Sequence, residues 1–239
     1  MVPEALLLDF DGTLVDWFAA LESGVEVAAE HFAREHGLDP REVARRTLAF
    51  EAEVFEAHVD GWCLGDVGAF ELHSAVWRRA HEEFGVEARS TDALAHVHWQ
   101  AELAAMRAYD DVAQLLRATA AHGIRTALVT NGPGPVQRAK LDRVGLTDAF
   151  DAVLVSAEVG SAKPDARIFH AALAELGVAP ENAWHVGDTL AFDIAGARAA
   201  GVGAVWLNRG GLERGAHEAE PHHEIAALHE LTALFARAA

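Results

Sequence analysis

The sequence predicts an α/β fold: a Rossmann-like parallel-sheet core with a helical cap inserted after the first strand. Three observations predict it. Short apolar runs recur along the chain, each closing on a polar or glycine-bearing segment. Helix-period stretches lie between them and stop at glycines. The first apolar run is separated from the second by residues 17–106, which are rich in Ala, Glu, His and Trp and show no strand pattern.

Taken in order, Ala5–Leu8 is a short buried strand ending at Asp9, and Gly12 and Thr13 turn the chain. Residues 17–106 read as four or five helices. Asp111–His122 is helical, Ile124–Val129 is a strand running into Thr130, Asn131 and Gly132, and Pro135–Val144 is helical again. Ala152–Ser156 is a strand followed by a loop through Gly160, Ser161 and Pro164, and Asp165–Leu176 is a helix. Ala183–Val186 is a strand leading into Gly187 and Asp188, Asp193–Ala200 a helix, and Gly203–Leu207 a strand. Ile225–Leu228 is expected as a last strand before a C-terminal helix. This alternation implies a parallel sheet covered on both faces. The core is then 1–16 with 107–239, and the cap is 17–106. An open α/β sheet binds its ligand beyond the carboxyl ends of its strands, where the polar segments of this chain recur.

Composition narrows the partners. A net charge of -18 over 239 residues repels nucleic acid polymers and anionic membrane surfaces. A phosphate ligand is not excluded, but a metal or a few local cations must neutralise it. The only cysteine, Cys63, excludes an intrachain disulfide and reads as a packing residue, so a cytoplasmic setting is expected. The N-terminal run reaches Asp9 without a basic region, which is unlike a signal peptide or a membrane span.

Four clusters carry chemistry. Asp9-Phe10-Asp11-Gly12-Thr13 sets two carboxylates at a strand end. Residues two apart share a face while strand geometry lasts, and paired like charges need a cation beside them. Hard oxygen donors favour Mg²⁺ over zinc. Alone, the same residues also fit a solvated turn. Gly187-Asp188-Thr189 through Asp193 offers further carboxylates, although Asp193 also suits an ordinary helix start. Thr130-Asn131-Gly132 offers a hydroxyl and backbone N–H groups to an anion, or is a plain turn. Lys163, before Pro164, offers a point charge, or is a surface lysine.

Together and in this order, the four resemble the motifs of the haloacid dehalogenase-like hydrolase superfamily: DFDGT at Asp9–Thr13, VTNG at Val129–Gly132, AKP at Ala162–Pro164 and GDTLAFD at Gly187–Asp193. The resemblance implies that Asp9 attacks phosphorus to form a phospho-aspartate and that Asp11 is the general acid and base. It implies phosphoryl contacts from Thr130, Lys163 and the N–H groups of Phe10, Asp11 and Asn131. It implies Mg²⁺ held by the Asp9 and Asp188 side chains and the Asp11 carbonyl, with Asp193 supporting directly or through water. Dehalogenases resembling this core lack the second acid, so Asp11 argues against dehalogenation. The segments Gln137–Leu146 and Ala195–Gly211 resemble the nucleotidase and sugar-phosphate phosphatase branch.

The expected activity is therefore Mg²⁺-dependent hydrolysis of a small phosphorylated metabolite, a nucleotide or a sugar phosphate, by a monomer or homodimer. A sugar phosphomutase and a non-catalytic metabolite-binding protein remain as alternatives. Trp17, just behind the catalytic loop, is the cap aromatic expected to contact substrate, and most of the cap tryptophans are expected in its core, with one or two facing the cleft. The break at Gly61–Gly65 is either the cap mouth or an interhelix turn. The fourteen histidines read as solvated helix or loop faces, His185 as strand packing, and Arg209 as a solvent-facing loop residue.

Overall fold

Strand-forming runs buried on both faces dictate the centre of the molecule. The structure, a computed structural model, describes residues 2–238. In chain order the strands are β1 (Ala5–Leu8), β2 (Arg125–Thr130), β3 (Ala152–Val155), β4 (Ala183–Gly187), β5 (Gly203–Leu207) and β6 (His223–Ile225). The helices are α1 (Trp17–His36), α2 (Pro40–Leu64), α3 (Ala69–Phe84), α4 (Thr91–Ala105), α5 (Val112–Ala121), α6 (Gly134–Arg143), α7 (Ser156–Val159), α8 (Ala166–Leu176), α9 (Ala195–Ala199) and α10 (His229–Ala238).

All six strands are parallel, in the order β3-β2-β1-β4-β5-β6. Alternate residues of β1 feed two separate cores, as the twofold strand period requires. Leu6 and Leu8 pack with residues of α5, α6 and α10, whereas Ala5 and Leu7 pack with α8 and α9. The chain leaves β1 toward β2 on one side and returns to β4 on the other. That reversal of direction opens a crevice at the carboxyl end of β1.

Helices α1–α4 stand between β1 and β2 in sequence and bury their own apolar centre around Phe32, Val76 and Trp77. Two linkers that pair with each other join this insert to the sheet. Asp16 N–H donates to Arg107 O, Tyr109 N–H donates to Leu14 O, and Val15 bridges both Asp11 and Ala108.

Three local expectations change. The segment after β3 is not all loop, because Ser156–Val159 forms a single helical turn. The helix expected from Asp193 starts earlier, as a π-helical turn at Leu190–Ile194, with Asp193 and Ile194 N–H both reaching Thr189 O. The last strand is His223–Ile225 rather than Ile225–Leu228, paired through Leu207 with Ile225 despite its polar start.

The histidines depart furthest from expectation. His73, His81 and His98 are buried in the insert rather than solvated, because helical spacing turns them onto the packed face. His73, His98 and Glu102 bring ligand-type atoms within 4.8 Å of one another. Trp77 Nε1, which can only donate, lies 3.3 Å from His98 Nδ1. Burial, and then the nearby His73, hold His98 well below the usual histidine range, so it is neutral with its proton on Nε2.

Glu51 faces Glu102 in the same interior, and burial, reinforced by Glu102, pushes Glu51 up to about 7. As pH rises, the unfolded chain loses this proton near the ordinary value of 4.5 and the folded chain near 7. The Glu51 contribution to stability should therefore fall across that window, by on the order of 3 kcal/mol, and level off above it. Urea unfolding from pH 4 to 8 should show a shallower slope in Glu51→Gln than in the native chain, the remainder coming from other buried carboxylates with raised values.

Candidate active site

β1 stops at Leu8, and Asp9 N–H still bonds Val186 O at 2.9 Å before the chain turns through Phe10–Val15. The twofold strand period therefore does not extend across Asp9 and Asp11, and the two carboxylates find separate partners. Asp9 Oδ1 accepts from Lys163 Nζ at 2.5 Å, and Lys163 Nζ also donates to Asp193 Oδ1 at 2.6 Å. Asp11 turns the other way, accepting from Lys140 Nζ at 3.0 and 3.1 Å and from Gln137 Nε2 at 3.0 Å.

Lys163 reaches Asp9 because its backbone is tethered. Asn131 Nδ2 donates to Lys163 O, and Lys163 N–H donates to Asn131 Oδ1, both at 2.9 Å. The Lys163–Pro164 peptide is cis. Burial pulls the ammonium down, but Asp193 and Asp9 outweigh it and hold Lys163 above the usual lysine value. It stays charged.

Asp193 is well satisfied. Oδ1 accepts from Lys163 and from His185 Nε2 at 3.0 Å, and Oδ2 accepts from Thr189 N and Oγ1 at 3.0 and 2.6 Å. Burial works against its charge, but Lys163 and His185 hold the carboxyl far below the usual range. His185 is thus buried in the strand as expected, and it also orients Asp193.

Asp9 and Asp188 are less well provided for. Burial pushes Asp9 up to about 7 against the pull of Lys163. Burial, then Asp9 and Asp193, push Asp188 up to about 8. Carboxylate oxygens of Asp9, Asp188 and Asp193 lie within 4.8 Å of one another. This surplus of negative charge on hard oxygen donors fits a divalent cation such as Mg²⁺. Asp9 and Asp188 are the residues with oxygen to spare, whereas Asp193 already meets several donors.

The anion-binding features lie alongside. The N–H groups of Phe10, Asp11 and Asn131 donate to no protein acceptor among the described residues. Thr130 Oγ1 accepts from Gln137 Nε2, which leaves its own proton free to donate to a phosphoryl oxygen. Gly132 N–H is taken by Ser156 Oγ at 2.9 Å.

Several residues at the site were not read from the sequence: Gln137, Lys140, His185 as a partner of Asp193, and the Asn131 side chain. Trp17 lies exposed at the start of α1 with its ring edge-on to Phe18, and no contact ties it to the carboxylates. Trp62 lies closer, beside Gly132 and 5.9 Å from Lys140 Nζ. Gly61–Leu64 is not a break but the last turn of α2, capped by Gly65, and it packs against the Thr130–Gly132 loop, with Cys63 O accepting from Ser156 Oγ. Burial pushes the Cys63 thiol up, which keeps it an unreactive packing group. Arg209 does not face solvent: it grips Asp111 at 2.9 and 3.1 Å, bonds Thr13 O and stacks on Tyr109.

Fold and site together define an open parallel α/β core whose carboxylates stand at the strand ends. A family model for haloacid dehalogenase-like hydrolases matches residues 3–201, and the chain belongs to that family. A phosphoserine phosphatase of Thermus thermophilus is 36% identical over 242 residues, covering 95% of this chain and 96% of that protein. An N-acylneuraminate-9-phosphatase of Homo sapiens is 30% identical over 235 residues, covering 96% and 92%. The magnesium-bound HAD hydrolase YfnB of Bacillus subtilis has a TM-score of 0.77 over 98% of this chain and 99% of that one, a likeness of fold at 21% identity. The relatives place the chain in the small-molecule phosphatase branch, and it is an enzyme of that class.

Two glycines keep the carboxylates in place. Gly12 has φ +82°, and a Cβ there would lie 2.3 Å from Asp188 Oδ2. A Cβ on Gly187 would lie 2.2 Å from Asp193 Cγ. Gly12→Ala should destabilise the fold by about 1–3 kcal/mol. Urea denaturation checks this, and a loss near zero would show that the loop yields without cost.

Proposed function

We propose that the chain is a magnesium-dependent phosphomonoesterase that hydrolyses a small phosphorylated metabolite through a phospho-aspartate on Asp9. The observation that carries this reading is the separation of two neighbouring carboxylates. Asp9 is buried against Lys163 with its side chain 8% exposed, whereas Asp11 is drawn to a different lysine, Lys140, with its side chain 26% exposed. A nucleophile and a proton carrier need this division of environment.

Mg²⁺, held by Asp9, Asp188 and the Asp11 carbonyl, would neutralise phosphoryl charge as it builds. The chain's own groups do the rest. Thr130, Lys163 and the free N–H groups of Phe10, Asp11 and Asn131 bind and orient the phosphoryl oxygens. The Asp9 oxygen not bonded to Lys163 attacks phosphorus, the bond to the leaving oxygen breaks, and that oxygen takes its proton from Asp11. Asp11, now a carboxylate, takes a proton from water. The water oxygen attacks phosphorus, the bond to Asp9 breaks, and phosphate leaves with Asp11 protonated again.

The insert α1–α4 would serve as the cap, excluding bulk water and setting the choice of leaving group. Trp62 and Trp17 are its aromatic candidates for substrate contact. The relatives act on chemically different esters, and nothing in this site ranks a nucleotide above a sugar phosphate. No helix among the described residues is long and apolar enough to cross a membrane. We place the enzyme in the cytoplasm as a monomer or homodimer.

A phosphate-release screen with Mg²⁺ over nucleoside monophosphates, sugar phosphates, phosphoglycolate and acylneuraminate phosphate tests the reading. One phosphate per turnover is expected, abolished by chelation with EDTA. Asp9→Asn should keep the fold by circular dichroism and lower kcat by about 1,000-fold or more. An isomeric phosphate formed without phosphate release would make the enzyme a phosphomutase. No turnover on any ester would leave a metabolite-binding protein.

A further inference from the structure

Nineteen residues of this chain are lysine or arginine, and just two of them, Lys140 and Lys163, are lysine. Both are buried, at 5% and 4% exposure. Each ends on one of the two carboxylates of the Asp9-Phe10-Asp11 segment: Lys163 on Asp9, Lys140 on Asp11. Elsewhere among the described residues, ion pairs are made by arginine or histidine. A chain that uses arginine for its surface pairs has kept the compact ammonium at the two positions where a planar fork is the wrong shape.

We propose that Lys140, seconded by Gln137, is the positioning residue for the general acid Asp11; this rests on the phosphatase reading above. The two side chains are three apart on α6, so they share one helix face. That helix starts directly behind the Thr130–Gly132 loop. Asp11 Oδ2 accepts from both Lys140 and Gln137, and Oδ1 from Lys140 alone. Oδ1 therefore has one protein donor fewer than Oδ2. The same Gln137 amide orients the Thr130 hydroxyl, so one helix face aims both the acid and a phosphoryl donor. On the insert side the Trp62 ring covers the ammonium, which keeps Lys140 directed at Asp11.

A positioned acid matters in proportion to how badly the leaving group needs a proton. Two aryl esters of nearly the same shape separate this effect from binding. Phenyl phosphate leaves as a basic phenolate, and 4-nitrophenyl phosphate leaves as one that is stable unprotonated. kcat/KM isolates phosphoryl transfer to Asp9 in both cases. Lys140→Met should lower kcat/KM about 30-fold or more for phenyl phosphate and about 3-fold or less for the nitro ester. In an Asp11→Asn background the same change should show no leaving-group dependence. Equal losses on both esters, with Asp11 intact, would overturn the proposal. Lys140→Gln, which keeps a donor without the charge, gives the same comparison should the methionine variant fail to fold, and its selective loss on phenyl phosphate is likewise expected. A wild-type enzyme that releases phosphate from no ester would instead overturn the phosphatase reading beneath it.

Discussion

Buried at the carboxyl ends of the sheet, the Lys163 ammonium meets Asp9 on one side and Asp193 on the other. Its charge there is costly unless both carboxylates stay within reach, and each of them would be costly without it. The rest of the site follows from holding this triad together. Asn131 fixes the lysine backbone, His185 and Thr189 fix Asp193, and a π-helical turn presents Asp193 inward. A widened turn of this kind disturbs helix geometry and is frequent at functional sites. Here it serves an ion pair rather than the helix itself.

The triad leaves Asp9 and Asp188 short of positive charge, and that imbalance makes the site receptive to a cation and an anion together. A divalent metal would relieve the carboxylates, and together with Lys163 it would draw in a phosphoryl group. A chain so acidic overall can thus bind an acidic ligand, because the compensation is local.

Much of the core was legible in the sequence for a physical reason. Short strands buried on both faces leave near-continuous apolar runs, and their polar ends are contiguous in sequence, so Asp9, Thr130 and Asp188 could be placed at strand ends. Lys163 was legible from its motif. Gln137 and Lys140 were not, because they join Asp11 across more than a hundred residues and sit on a helix of unexceptional pattern. A signal was nonetheless present in the scarcity of lysine. The buried histidines of the insert escaped for the opposite reason: helical periodicity was visible, but the polarity of histidine favoured the solvent face over the packed one. Trp17 was nearest to the catalytic loop in sequence, whereas Trp62 is the tryptophan beside the phosphate loop, because the end of α2 folds back against α7.

The paired linkers under the insert have a mechanical meaning. Leu14, Val15 and Asp16 are laced to Arg107, Ala108 and Tyr109, Val15 is laced in turn to Asp11, and Arg209 clamps the same loop at Thr13. A lever pivots at its fulcrum, and here the fulcrum includes Asp11. Any tilt of the insert about these linkers would therefore shift Asp11 as well, so that admission of a molecule and the setting of that carboxylate would be two readings of a single angle.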